Sequence, residues 1–149
     1  MRASEHLTVG RKILPAITIT AGAAGSSAIN GAIVDMAGYG AICCVVIFGA
    51  IVTGAATSIK FQQDDAAGGG TMEDILGSSQ TIVDSADDTI FVTDHIRPAK
   101  RYVRLVVSRA TQNATVCAIY EQYQADNKPV TQPSGVTVER FKDAIAGTA

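Results

Sequence analysis

The feature that most constrains the fold is an apolar run, Gly40–Ala56, which holds seventeen residues and no charged side chain. This length touches the lower limit for a transmembrane helix. Gly49 and Gly54 interrupt the run, however, β-branched residues are frequent in it, and neither a basic cluster nor a Trp/Tyr belt flanks it. The run therefore predicts a central strand over 41–48, buried on both faces, followed by a glycine-marked turn into another strand.

Alternation of apolar and polar residues predicts further strands on both sides of this run. Residues 13–20 alternate with Ile17 and Ile19 on one face, and Pro15 places this strand at a sheet edge because proline cannot donate to a ladder. Residues 57–63 form the clearest half-buried strand, with the inward positions Ile59 and Phe61.

The second half of the chain has the pattern of a hairpin. Residues 101–109 alternate, and residues 114–124 are expected to pair with them because the link 110–113 has the length of a hairpin loop. The inward positions of the first of these strands are Val103, Leu105 and Val107.

Between these strands, residues 71–76 are expected to form one helical turn with Thr71 as its N-cap. Seven to nine short strands with so little helix predict an all-β protein, a single domain of β-sandwich or jelly-roll type with short loops. We expect a flexible N-terminal arm over 1–12, the sandwich over 13–124, and an extended C-terminal arm with a short terminal element over 125–149.

The composition favours a protein that packs against other proteins. Charged residues make up 17% of the chain, below the roughly 25% of an ordinary soluble domain, and hydrophobic residues make up 47%. Part of the surface is therefore expected to lie in a permanent interface. The net charge of -2 gives no field that would hold nucleic acid or an anionic membrane, so neither is expected as a partner.

Residues that could carry out chemistry are sparse, and the sequence predicts a non-enzymatic protein without cofactor or metal. The two histidines are His6 and His95, the latter expected at the surface, and no nucleophile elbow is present. The aspartates lack the spacing of a calcium loop and are expected to be solvated turn residues. The three cysteines, without CxxC spacing, are expected to be reduced core residues: Cys43, Cys44 and Cys117.

The densest charge feature is a basic cluster around residue 100. Arginine and tyrosine are favoured interface anchors, so this cluster is a candidate contact with an acidic partner surface. The alternative is an ordinary solvated strand face that is balanced by the chain's own aspartates. The candidate interface residues are Arg97, Lys100, Arg101, Tyr102 and Arg104, together with Arg11, Lys12, Lys128 and Pro129 in the two arms, which could reach a neighbouring molecule.

Three segments carry a resemblance to a known family: Val34–Gly40 leading into the apolar run, Ile59–Asp65, and Pro98–Leu105. With them, the region 35–123 resembles the head decoration, or cement, proteins of tailed bacteriophages. The resemblance implies a protein on the exterior of an assembled capsid that bridges subunits of the major capsid protein. It also implies a homo-oligomer, a dimer or a trimer.

The polar first twelve residues lack the apolar segment of a signal peptide, so synthesis in the host cytoplasm is expected before the protein joins the virion. Two other functions stay open. One is a tail or head-fibre component that binds a carbohydrate or receptor on a host surface. The other is a small membrane protein, which the apolar run would anchor.

Overall fold

A computed structural model describes residues 7–111 and 113–138. Within these ranges the chain forms one short helix and ten β-strands. The helix α1 is Leu7–Gly10, and the strands are β1 Lys12–Ile17, β2 Ile29–Asn30, β3 Val34–Asp35, β4 Tyr39–Ile51, β5 Ala56–Asp64, β6 Glu73–Asp74, β7 Gln80–Ile82, β8 Ile90–Ile96, β9 Tyr102–Ala110 and β10 Ala114–Ala125.

The strands form two antiparallel sheets. Sheet I has the order β1-β10-β4-β8. Sheet II has the order β2-β9-β5-β6, with β3 also paired to β9 and β7 also paired to β5. The predicted edge position of β1 is confirmed, as is the central position of β4, which lies between β10 and β8.

The core lies between the two sheets, and every long strand contributes alternate side chains to it. From sheet I, β4 buries Ile42, Cys44, Val46 and Phe48 completely. From sheet II, the inward residues predicted for β5 and β9 are confirmed in the core: Ile59, Phe61, Val103, Leu105 and Val107. The predicted all-β, single-domain sandwich is therefore the observed fold.

Tyr120 joins the two sheets inside the core. Its side chain is completely buried on β10, and its hydroxyl oxygen accepts a hydrogen bond of 2.6 Å from the backbone N–H of Leu105 on β9. Gly31 packs directly against this bond, because a Cβ at residue 31 would lie 2.8 Å from the same hydroxyl. Burial of the phenol raises the pKa of Tyr120 above its ordinary value.

The apolar run forms β4 and the start of β5, and the described residues contain no helix long and apolar enough to cross a membrane. The prediction that this strand is buried on both faces is wrong. Cys43 and Val45 are half-buried and Ile47 is 42% exposed, because sheet II covers only one face of sheet I. Gly49 lies within the strand, and the turn comes later, at Gly54, where φ is 86°.

The predicted hairpin between β9 and β10 is also wrong. β9 pairs with β5 in sheet II, whereas β10 pairs with β4 and β1 in sheet I. The link after Ala110 therefore crosses from one sheet to the other. A link of this length fits both a hairpin and such a crossing, and the core forms only if the apolar faces of the two strands oppose each other.

Two local predictions are also wrong. Residues 71–76 form no helical turn, since Glu73–Asp74 is the strand β6, paired with Gln62 and Gln63. The first strand ends at Ile17, and Ile19 is 80% exposed because the chain turns there, with the N–H of Gly22 donating to the carbonyl of Thr18.

The segment after β10 returns to the start of the domain. The backbone N–H of Val130 donates to the carbonyl of Val9. The side chain of Gln132 accepts from Ile13 N–H at 2.9 Å and donates to the carbonyl of Arg11 at 2.6 Å. Residues 1–6 and 139–149 of the two predicted arms lie outside the described residues, and the division into arms and domain stays a prediction.

Candidate protein-binding surface

Two rows of apolar side chains cross the outer face of sheet I, which sheet II does not cover. In the first row Ile90 on β8 lies opposite Ile47 on β4. The second row places Val92 opposite Val45, which lies opposite Ile119 on β10. We call this surface the apolar face, and its residues are Val45, Ile47, Ile90, Val92, Cys117 and Ile119.

The apolar face is unusually open to solvent for the middle of a sheet. Ile47 and Ile119 on the two inner strands are 42% and 45% exposed, and Ile90 and Val92 on β8 are 60% and 58% exposed. Ile19 adds to one end, where it lines a shallow depression of about 320 Å³ with Ile47, Ile90 and Cys117. Contiguous exposed apolar surface of this kind commonly marks a site where another protein binds.

The next row of the same sheet is polar and closes one end of the apolar face. Arg11 forms an ion pair with Glu121 at 2.6 Å, and its guanidinium lies 6.0 Å from the centre of the Tyr123 ring. The Tyr123 hydroxyl donates to the carboxylate of Asp94. Burial and this bond raise the pKa of Tyr123 to about 12, so the hydroxyl stays a donor at neutral pH. An apolar centre with a polar rim is the usual composition of a protein interface.

The sequence predicts that all three cysteines lie in the core, and this prediction is wrong for two of them. Cys44 is completely buried there, but Cys43 and Cys117 are half-buried on the outer side of sheet I. All three are free thiols. Burial raises the pKa of both Cys43 and Cys44, which keeps these thiols protonated and weakly nucleophilic.

The predicted basic cluster divides between a loop and sheet II. Arg101 donates two hydrogen bonds to Asp35, of 2.8 and 2.7 Å, and stacks over the ring of its neighbour Tyr102 at 5.3 Å. Lys100 pairs with Glu73 at 2.8 Å. Arg97, which has a positive φ of 54°, donates its backbone N–H to Gly40 and continues β8 alongside β4 for one more residue.

Arg104 belongs to a hydrogen-bonded network on the outer face of sheet II. Its guanidinium donates twice to the side-chain oxygen of Gln62, whose amide donates to Asp74. Asp74 also pairs with Lys60 at 2.7 Å. This outer face is therefore covered by polar groups that satisfy one another.

The remaining candidates lie in β1, just before it, and in the segment after β10. Arg11 joins the polar row of sheet I, and the ammonium of Lys12 lies 6.0 Å from the centre of the Tyr39 ring. Lys128 lies beside Gly10, and Pro129 follows it. The nine predicted contact residues thus do not form one surface, because the sandwich separates Arg11 from Arg104. Their role in binding stays a prediction.

His95, which the sequence predicts at the surface, is half-buried at the edge of sheet I. Its ring stacks on Phe61 with 6.0 Å between centres, and its Nε2 atom is buried with no hydrogen-bond partner in the described structure. Burial lowers its pKa, so the imidazole is neutral at neutral pH. Among residues 7–111 and 113–138, no group of three His, Cys, Asp or Glu side chains is placed to hold a metal ion.

Sequence reasoning missed the apolar face, although its signal is present. β4, β8 and β10 each carry apolar residues at both alternate sets of positions, as in the run around Val45. Such a pattern is typical of a strand buried on both sides. In this fold it marks strands with one side in the core and the other side partly exposed to solvent.

Comparison with known proteins gives a fold and no family. No family model and no curated protein matches the chain. Among solved structures it resembles the PBSX exported protein XepA, with a TM-score of 0.54 and 13% sequence identity over 93% of this chain. The match covers 45% of XepA, so this chain spans less than half the length of that protein. At this identity the likeness concerns the fold alone.

Proposed function

We propose that this protein is a non-enzymatic component of a phage virion that binds the exterior of the assembled capsid through the apolar face. It bridges neighbouring subunits of the major capsid protein and acts as a small oligomer. The observation that carries the proposal is the apolar face itself, where residues such as Ile90 and Val92 are more than half exposed on a hydrogen-bonded sheet. A phage context is supported by the shared fold with the phage-derived exported protein XepA.

The physical reason for this function is linkage. A protein that binds only the assembled lattice stabilises that lattice, by an amount that grows with its concentration relative to its dissociation constant. The apolar face provides the central contact, and the polar row with Arg11 and Glu121 provides a rim that excludes water. Many copies on one shell multiply the effect of a modest contact.

The experiment is co-sedimentation of the full chain with expanded shells of its own phage that were assembled without it. We expect the wild-type chain to sediment with the shells at a fixed stoichiometry and to raise their resistance to heat. Ile119→Lys places a charge in the middle of the apolar face and should weaken binding at least tenfold, because an unpaired charge would be buried at the contact.

The matched control is Val83→Lys. Val83 is 59% exposed and follows β7 of sheet II, outside the apolar face, so this variant should bind like the wild type. If both variants bind equally well, the apolar face is not the contact. If the wild-type chain stays in the supernatant, capsid binding is refuted, and binding to host cells would then support the tail or fibre function.

A further inference from the structure

The two edges of sheet I differ in how well they are protected from pairing with another strand. Exposed edges usually carry proline, lysine, a bulge or a covering segment, since their free backbone groups otherwise recruit other chains. β1 has such protection: it contains Pro15, its register shifts between Pro15 and Ile17, and Gln132 occupies the N–H of Ile13.

β8, the opposite edge, has no such device on its backbone; the side chain of Gln80 reaches it, but donates to the side-chain hydroxyl of Thr93 at 3.3 Å. It is seven residues long, IFVTDHI, without proline or lysine, and its register with β4 runs unbroken from Ile90 to Ile96. In the described ranges, β4 is the only strand that pairs with it. The cleft beside it, of about 370 Å³, stays open, and Leu76 at its lining is fully exposed.

The hydrogen bonds to β4 show which backbone groups of β8 are free. The N–H of Phe48 donates to Thr89, and the N–H of Arg97 donates to Gly40. Because bonded positions alternate in an antiparallel pair, the odd-numbered residues between them face β4. The backbone groups that face outward are those of Ile90, Val92, Asp94 and Ile96.

We infer that β8 pairs with β8 of a second copy across a two-fold axis at Thr93, so that two sheets I join into one eight-stranded sheet. This register bonds all four outward residues of each copy, Ile90 with Ile96 and Val92 with Asp94. By symmetry these are four hydrogen-bonded pairs. A register centred on Val92 forms only three such pairs, because Ile96 of each copy then lies beyond the end of the other β8. A centre at Asp94 sets two carboxylates opposite each other, which is unfavourable.

The side chains fit the same register. Ile90 of one copy meets Ile96 of the other on the outer side, and both are more than half exposed in the single chain. The two Thr93 residues meet at the axis on the inner side, and threonine pairs are favourable across strands. The contact is isologous, so it closes at two copies. It also doubles the apolar face in one plane, which deepens the proposed function by specifying the oligomer that would bind a shell.

The test uses the purified full chain alone, without shells, in sedimentation equilibrium over a range of concentrations. The wild type should be a dimer. Val92→Pro removes an N–H that faces away from β4, so the subunit fold is expected to persist while pairing at the edge is lost. Its dimer dissociation constant should rise at least tenfold. Ile119→Lys, which weakens shell binding, should remain dimeric, so the dimer and the shell contact are tested separately.

A second variant needs no proline in the strand. In the proposed register the Cα atoms at residue 93 form a non-hydrogen-bonded pair about 4.5 Å apart, within the range of a disulfide. Thr93→Cys should therefore form a covalent dimer on mild oxidation. The wild type, which has three free thiols, and Thr115→Cys on β10 should not. A monomeric wild type, a Val92→Pro variant that folds and dimerises normally, or an uncrosslinked Thr93→Cys variant would each overturn the inference.

Discussion

Arg109 is a charged side chain that is buried inside the sandwich. It follows the inward positions Val103, Leu105 and Val107 of β9 and is 7% exposed. Its guanidinium donates to three backbone carbonyls, those of Ala23, Ser27 and Ala114, at 2.7–2.8 Å. One residue of β9 thus fixes the loop before β2 to the start of β10. Burial lowers the pKa of Arg109, but a guanidinium stays charged at neutral pH.

Replacing this residue should destabilise the fold strongly. Arg109→Met keeps the length and removes all three hydrogen bonds, including the one to the carbonyl of the buried Ala114, so we expect a loss of about 3 kcal/mol in the free energy of unfolding. Arg104→Met on the same strand is the control and should cost less than about 1 kcal/mol, because Arg104 bonds to the half-buried side chain of Gln62 and not to a buried carbonyl in the described residues. Urea unfolding measures both, and equal losses would contradict this account of Arg109.

Asp35 should make the stability depend on pH in the acid range. The two bonds from Arg101, opposed by partial desolvation and helped by the N–H of Ala37, lower the pKa of Asp35 to about 2. The unfolded chain has a carboxyl pKa near 3.9. The stabilisation by this pair is therefore present above about pH 4 and is lost as the pH falls through about 2.

Asp35→Asn removes this titration. The variant should be less stable than the wild type at pH 7, and the difference should shrink as the pH falls from about 4 to 2. Denaturant midpoints of the two proteins at a series of pH values measure this. Curves that stay parallel down to pH 2 would show that the Arg101 pair does not contribute.

At the scale of elements, the loop between β1 and β2 is held by the backbone of β10 as well as by Arg109. The N–H of Val116 donates to the carbonyl of Gly22 at 2.9 Å, and the N–H of Ala114 donates to Gly25. Gly22 packs so closely that a Cβ there would lie 1.4 Å from the carbonyl oxygen of Val116. The loop and the strand therefore form one unit.

Gly22→Ala should displace the loop between β1 and β2 from β10. A backbone oxygen cannot move aside as a side chain can, so the variant must shift the loop and break its bonds to β10; we expect a loss of about 3 kcal/mol or more. Gly70→Ala is the control, because nothing lies within 4 Å of a Cβ at residue 70, and its effect should stay within about 0.5 kcal/mol. Thermal or urea unfolding of both variants tests the difference.

At the scale of the whole molecule, the two outer faces of the sandwich have opposite character. Sheet II presents Arg104, Gln62, Asp74 and Lys60 as a network whose charges are already paired. Sheet I presents the apolar face. This asymmetry defines how the molecule would be oriented in the proposed function, with sheet I facing the shell and sheet II facing the solvent. Comparing the shell binding of Ile119→Lys and Val83→Lys tests that orientation.

Much of this architecture follows from the sequence alone. Alternation identified the core residues of β5 and β9, such as Phe61 and Leu105, because a strand with one buried side has a period of two whatever its neighbours are. Pro15 marked an edge, since a missing N–H cannot serve in the interior of a sheet. The class of the fold was likewise readable from local patterns.

Tertiary structure alone decided which strands pair and which apolar side chains stay exposed. β9 and β10 are separated by a link that fits a hairpin, yet they lie in different sheets, because closing the core depends on contacts between residues far apart in sequence. The same holds for the apolar face. Val45 and Cys44 are adjacent and both apolar, and only the position of sheet II determines that Cys44 is buried while Val45 stays partly exposed.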